Sequence, residues 1–155
     1  MRISAKVDYA VRAAAELAQR SPSRQSGATT GETIGNAQGI PTNYLENILA
    51  ELRRSGIVGS RRGADGGYWL ARDAAEVSIA DIVRAVEGPL ADVRGEAPED
   101  LSYEGPAEPL ERVWIAVRAS VRQVLETTTL AALVDDQLPD GVNDLLRDRS
   151  AWTRH

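Results

Sequence analysis

Cysteine is absent from this 155-residue chain. That one absence removes disulfides, thiolate metal sites and cysteine nucleophiles together. Histidine is nearly absent as well. The single residue, His155, ends a polar stretch, so it reads as inert rather than as a ligand, and no serine has a histidine partner for hydrolysis. Nothing approaches the roughly eighteen consecutive apolar residues of a membrane span. The opening "MRISAKVDYAVR" lacks the apolar core of a signal peptide, which leaves the cytoplasm as the expected compartment. Carboxylates are plentiful, but they lie in loops or an acidic stretch without the paired spacing that acid–base catalysis needs.

Positive charge is short overall: 18 Lys and Arg against 23 Asp and Glu give a net charge of −5. The mean hides a division. Residues 1–72 carry ten basic and six acidic side chains, a balance of +4, whereas residues 73–155 carry eight and seventeen, a balance of −9. A basic half joined to an acidic half matters for partners in a way that the net charge does not. Apolar residues make up 43% and charged residues 26%, the profile of an ordinary globular chain with one core and room for an appendage.

Hydrophobic periodicity then supplies the elements. "SAKVDYAVRAAAELAQ" opens on Ser4 as N-cap and places Val7, Val11, Ala14, Leu17 and Ala18 at helical spacing. After the polar loop "RSPSRQSGA", Thr29 and Glu32 match a capping box for a short helix that ends near Gln38–Gly39. Pro41 or Thr42 opens a longer helix with Leu45, Ile48, Leu49 and Leu52 on its buried stripe and Gly56 as terminator. Short helix, glycine turn, second helix is a helix-turn-helix pattern, although a plain αα-corner has the same outline. "IVGSRR" and "GGYWLAR" read as two strands around the turn "GAD", which in this position form a wing.

"VSIADIVRAVEG" is a further helix, with Ser78 and Asp81 as its cap pair, Ile79, Ile82, Val83 and Val86 inward, and Gly88-Pro89 as its stop. Residues 90–108 show no period and read as a loop. "PLERVWIAVRASVRQVLE" follows, with Leu110, Val113, Trp114, Val117, Val121, Val124 and Leu125 close to a heptad seam. "TTLAALVDDQL" continues as a short helix after Thr128 or Thr129, and residues 139–155 are expected to be a loosely held polar tail.

"GIPTNYLENILAELRRSGIVGSRRGADGGYWLAR" followed by "SIADIVRAVEGPL" resembles the Rrf2 (Rrf-two) family of bacterial winged-helix transcription regulators, the IscR and NsrR type. The opening "MRISAKVDYAVRA" and the later "TLAALV" are similar to that family too, so the resemblance spans most of residues 1–138. It implies a homodimer on a near-palindromic operator. Sensor members carry three cysteines in the loop after "VEGPL" that ligate an iron–sulfur cluster, and this loop has none. Some relatives add an acidic residue and a histidine from the first helix. The matching positions here are Asp8 and Arg12, and an arginine has no lone pair to offer a metal. No cofactor and no metal site are therefore expected.

In the segment "RRGADGGYWLAR", Arg61 and Arg62 suit either a solvated turn that keeps an edge strand soluble or a wing in a DNA minor groove. Gly63, Gly66 and Gly67 would allow close approach to a sugar–phosphate chain. A nucleotide phosphate loop fails on context, because no "GK[ST]" follows and no helix begins there. On the second helix of the helix-turn-helix, Asn43, Glu46 and Asn47 face outward and suit base edges, while Thr42 and Tyr44 suit phosphates near the helix start. Arg53 and Arg54 suit phosphates or the helix dipole. Trp69, Tyr103 and Trp114 are either core or the lining of an effector pocket.

The expected fold is mainly α with a small β-hairpin. It comprises a winged helix-turn-helix domain (1–89), a loop (90–108), dimerisation helices (109–138) and a tail (139–155). The expected function is a DNA-binding transcriptional regulator, a repressor, acting as a homodimer on an inverted repeat. Double-stranded DNA is the partner, a small-molecule effector is an open question, and no membrane is involved. Leu110, Val113, Trp114, Val117, Val121 and Val124 are the expected dimer seam. The rival reading is a winged helix that serves only as a protein-interaction module. An enzyme would need a convergent polar pocket with a base, for which the sequence supplies no candidate.

Overall fold

The computed structural model describes residues 2–153, so the expectation for His155 lies outside the described residues. Helix α1 (Ala5–Arg20) starts where the Ser4 side chain accepts the Val7 N–H. Its inner face is Val7, Ala10, Ala13, Ala14 and Leu17, all buried. Three alanines on that face let neighbours approach closely, and α1 is the central post against which four of the later helices pack.

Helix α2 (Gly31–Gln38) is capped by Thr30, whose side chain accepts from Thr33 N–H, and not by the expected Thr29–Glu32 box. The reason is tertiary. Thr29 exchanges backbone hydrogen bonds with Tyr68, at 2.8 Å in each direction, and its hydroxyl lies 2.7 Å from that of Ser21. Thr29 is thus an extra rung of the wing and cannot also serve the helix.

Gly39 takes the left-handed turn conformation (φ 61°), Ile40 is buried, and Pro41 leads into α3 (Thr42–Arg54). Leu45, Ile48, Leu49 and Leu52 bury the inner stripe of α3 as its periodicity requires. Strands β1 (Val58–Arg61) and β2 (Gly67–Leu70) pair antiparallel, Val58 opposite Leu70 and Arg61 opposite Gly67. Helix α4 (Ile79–Glu87) carries the reciprocal Ser78–Asp81 capping box and buries Ala80, Ile82 and Val86.

Residues 90–108 contain two short 3₁₀ turns (Pro98–Asp100 and Gly105–Ala107), and Leu90, Pro98 and Leu101 are buried, so the segment is packed rather than a free linker. Helix α5 (Leu110–Leu125) buries no residue fully within the chain. Helix α6 (Leu130–Val134), capped by Thr129, sends Leu130 into the core. Residues 139–153 form α7 (Asp140–Leu146) and a 3₁₀ turn (Arg149–Trp152), which corrects the expectation of a loose polar tail. Among the described residues no helix is long and apolar enough to cross a membrane.

Candidate nucleic-acid interface

Burying one stripe of α3 turns the opposite stripe outward. Thr42, Asn43, Tyr44, Glu46, Asn47, Arg53 and Arg54 are all exposed. Asn47 Nδ2 donates to the Asn43 carbonyl at 3.3 Å, a long contact that leaves its amide oxygen open to a partner. Tyr44 is 55% exposed, and its ring meets that of Tyr9 edge-to-face at 5.9 Å. The Arg12 guanidinium lies 5.5 Å over Tyr9, so the start of α3 leans on α1 through two aromatic rings and a cation.

The wing stands beside the end of α3, and Arg53 joins them by donating from Nη1 to Ser60 Oγ at 3.2 Å. Arg61 folds back, its Nε donating to the Asp65 carbonyl at 2.9 Å, and so braces the turn. Arg62 is exposed and makes no side-chain hydrogen bond or ion pair among the described residues. Of the two wing arginines, Arg62 has its whole guanidinium available to an outside anion.

Gly63 is exposed at the wing tip, whereas Gly66 and Gly67 have internal reasons to lack a side chain. A Cβ on Gly66 would lie 2.6 Å from the Arg61 carbonyl oxygen, and one on Gly67 2.5 Å from that of Thr29. Gly67 also holds φ 141°, which L-residues avoid. The hairpin closes against itself and against Thr29 through these two positions.

Two basic side chains reach this region that periodicity alone did not bring there. Lys6 sits beside α3, its Nζ 3.0 and 2.8 Å from the Glu51 oxygens and 2.7 Å from the Val86 carbonyl. Arg24 lies 5.9 Å over the Trp69 ring, because the loop after α1 hydrogen-bonds to the wing strand (Leu70 N–H to Ser21 C=O, 2.9 Å). Only that long-range bond reveals the proximity; in the sequence Arg24 is one residue of a polar loop. The cleft that Trp69 lines is formed by Pro22–Gln25 and Leu70–Asp73, and neither Tyr103 nor Trp114 lines it.

Between α1 and the end of α2 runs a chain of polar contacts. Arg12 binds Asp8 at 2.9 Å and Gln38 at 3.2 Å, Gln38 donates to Glu16 at 2.6 Å, and Glu16 pairs with Arg20 at 2.6 Å. The Arg20 hydrogen bond, opposed by burial and aided by Gln38, holds the Glu16 carboxyl below its ordinary range. Within the 90–108 segment, Glu99 pairs with Arg118 of α5 at 2.6 Å, and that hydrogen bond lowers the Glu99 pKa.

On the seam of α5, Val113 and Val117 are exposed, while Leu110, Trp114, Val121 and Val124 are half-buried. The chain's own residues cover this face only in part.

Residues 3–136 match the model of the family described as Rrf2, iron-dependent transcriptional regulator. The chain is 48% identical over 158 residues to the "Putative HTH-type transcriptional regulator Rv1287" of Mycobacterium tuberculosis, covering all of this chain and 96% of that one. Among solved structures it is similar to CymR, the global cysteine regulator of B. subtilis, with TM-score 0.72 and 34% identity over 87% of this chain and 97% of that one. It is also similar to IscR of T. potens, with TM-score 0.70 and 34% identity over 88% of each chain.

The residues present do not fit an iron–sulfur cluster. Such clusters are held mainly by thiolates, and the sequence has no cysteine. At the α1 position the cationic Arg12 is bound to Asp8 and Gln38, and Glu99 is engaged by Arg118. Among the described residues no group of three or more His, Cys, Asp or Glu could hold a metal ion.

Proposed function

Because the chain belongs to the Rrf2 family of transcriptional regulators, we propose that it represses transcription by binding an inverted-repeat DNA operator as a cytoplasmic homodimer, without an iron–sulfur cluster. One observation carries this reading. Helix α3 presents Asn43, Glu46 and Asn47 outward, and the Arg53–Ser60 contact ties it to a wing whose Arg62 side chain has no partner among the described residues.

The chemistry divides by position. Asn43 and Asn47 suit adenine N6 and N7, and Glu46 accepts from cytosine N4. Thr42, Tyr44, Arg53 and Arg54 lie where phosphates would flank a helix seated in the major groove. Arg62, with Gly63 giving room at the tip, enters the adjacent minor groove, where negative potential draws guanidinium groups. Arg61 contributes by holding the turn, with its remaining N–H groups toward phosphate.

Dimerisation uses α5, because two adjacent exposed valines on a long amphipathic helix need cover that this chain does not provide. Two recognition helices about 34 Å apart then meet successive major grooves on one face of the duplex. No catalytic step enters the reading; the protein holds DNA and releases it.

The test is selection of bound fragments from genomic DNA, followed by anisotropy titration at several salt concentrations. Binding to an inverted repeat should weaken steeply with salt as neutralised phosphates release counterions. A protein that selects no sequence, and whose weak binding is the same on scrambled duplex, acts as a protein-interaction module instead.

A further inference from the structure

Large apolar side chains left exposed are not scattered over this molecule. Ile3 and Tyr44 aside, those among the described residues fall between positions 113 and 152: Val113, Val117, Leu133, Leu145, Leu146 and Trp152. Half of them belong to the C-terminal appendage, which lies past the residues that match the family model. Trp152 is 71% exposed and Leu145 55%.

The appendage is nonetheless ordered from within. Asp148 caps the last turn by accepting from Ser150 N–H, Trp152 Nε1 donates to the Leu146 carbonyl at 2.9 Å, and Asn143 donates to the Leu138 carbonyl at 2.9 Å. These contacts spend hydrogen bonds on fixing a tryptophan where its own chain does not cover it. An isolated apolar residue at a surface is ordinary; a fixed tryptophan beside two leucines, on a segment that packs on the amphipathic α5, is a patch.

We propose that this appendage is the outer part of an interface with a second copy of the chain. The inference rests on the reading of α5 as the dimer helix. Helix α7 packs directly on α5 of its own chain, so a copy seated on the α5 seam brings its surface alongside Leu145, Leu146 and Trp152. On that reading the two patches belong to one interface, and a second copy is the occupant that covers both.

Charge permits it. Although residues 73–155 are acidic overall, Asp144, Arg147, Asp148 and Arg149 alternate in sign around the patch, and Arg147 is paired with Asp144 at 2.6 Å. Tryptophan is also the side chain whose burial most often dominates an interface.

Two measurements on the full-length protein test this. In the first, sedimentation gives the dimer dissociation constant of wild type, of Leu145→Glu with Trp152→Ala, and of Val117→Glu with Val121→Glu. The appendage variant should raise that constant about tenfold or more, since truncated hot spots cost at least that much. In the second, hydrogen exchange of residues 140–152 in wild type is followed above and below the dimer dissociation constant. Exchange should slow with dimerisation.

An appendage variant that dimerises as tightly as wild type, together with concentration-independent exchange, overturns the proposal. If the α5 variant then dissociates, the α5 reading stands without it. If the α5 variant stays dimeric while the appendage variant dissociates, the appendage is an interface and the α5 reading fails. A wild type that is monomeric at every concentration removes both.

Discussion

At Gly67 the backbone stands at φ 141°, with the Thr29 carbonyl where a Cβ would go. Gly67→Ala should therefore cost on the order of 2–4 kcal/mol, from strain and from the displaced Thr29–Tyr68 pairing, read from urea unfolding. Arg62 makes the opposite case, since no contact among the described residues depends on it. Arg62→Ala should leave stability within about 0.5 kcal/mol of wild type while weakening operator binding and lowering the salt slope by about one. Equal affinity at every salt concentration would make the wing a solvated turn. For Glu46→Ala and Asn47→Ala the loss should instead concentrate at particular base pairs, about 1–3 kcal/mol each, with the salt slope unchanged. Titration against single-base operator variants separates these outcomes.

Helix ends and inter-helix ties are where elements owe their placement to polar groups. The reciprocal Ser78–Asp81 box starts α4, and Ser78→Ala should cost about 1 kcal/mol by leaving an N–H unmet at a half-buried terminus. The tie from α1 to the end of α2 runs through Glu16, whose carboxyl is held below its ordinary range. A depressed folded-state pKa means that ionised Glu16 stabilises the fold at neutral pH. That contribution is lost as pH falls through and below the ordinary glutamate range. Wild type should thus exceed Glu16→Gln in urea midpoint at neutral pH, and the gap should close in acid. A constant gap would show that Glu16 acts by packing alone. Gln38 lies at the end of the helix that leads into α3, so the same tie helps to set how α3 stands on α1.

For the molecule as a whole, the charge division has a mechanical counterpart. The basic residues 1–72 contain α3 and the wing, and the acidic residues 73–155 contain α5 and the appendage. On the proposed reading the basic stretch meets the polyanion, and the acidic stretch keeps DNA away from the proposed interface between copies. Val117→Glu with Val121→Glu should dissociate the proposed dimer, because a carboxylate buried without a partner costs several kcal/mol. The dissociated protein should also bind an inverted repeat no better than a single half-site. Sedimentation and titration on full and half operators check both halves of that statement.

Local patterns alone determined much of this protein. Leu45, Ile48, Leu49 and Leu52 made α3 a one-sided helix, Ser4 and Ser78 marked two starts, and Gly39 marked a turn, each through contacts within a few residues. Those outward positions of α3 are legible because a helix that buries one stripe must expose the other. Tertiary structure decided what depends on distant partners. The sequence pointed to Thr29 with Glu32 as the cap of α2, but Thr30 takes that place because Tyr68 pairs with Thr29. Arg61 and Arg62 look alike until Asp65 takes one of them. Residues 139–153, polar by composition, became an ordered appendage through Asp148, Asn143 and the Trp152–Leu146 bond, and its apolar face emerged only then. Periodicity records which side of an element is apolar, but it carries no record of what lies opposite. Pairings across tens of residues are set when the folded chain brings their partners together.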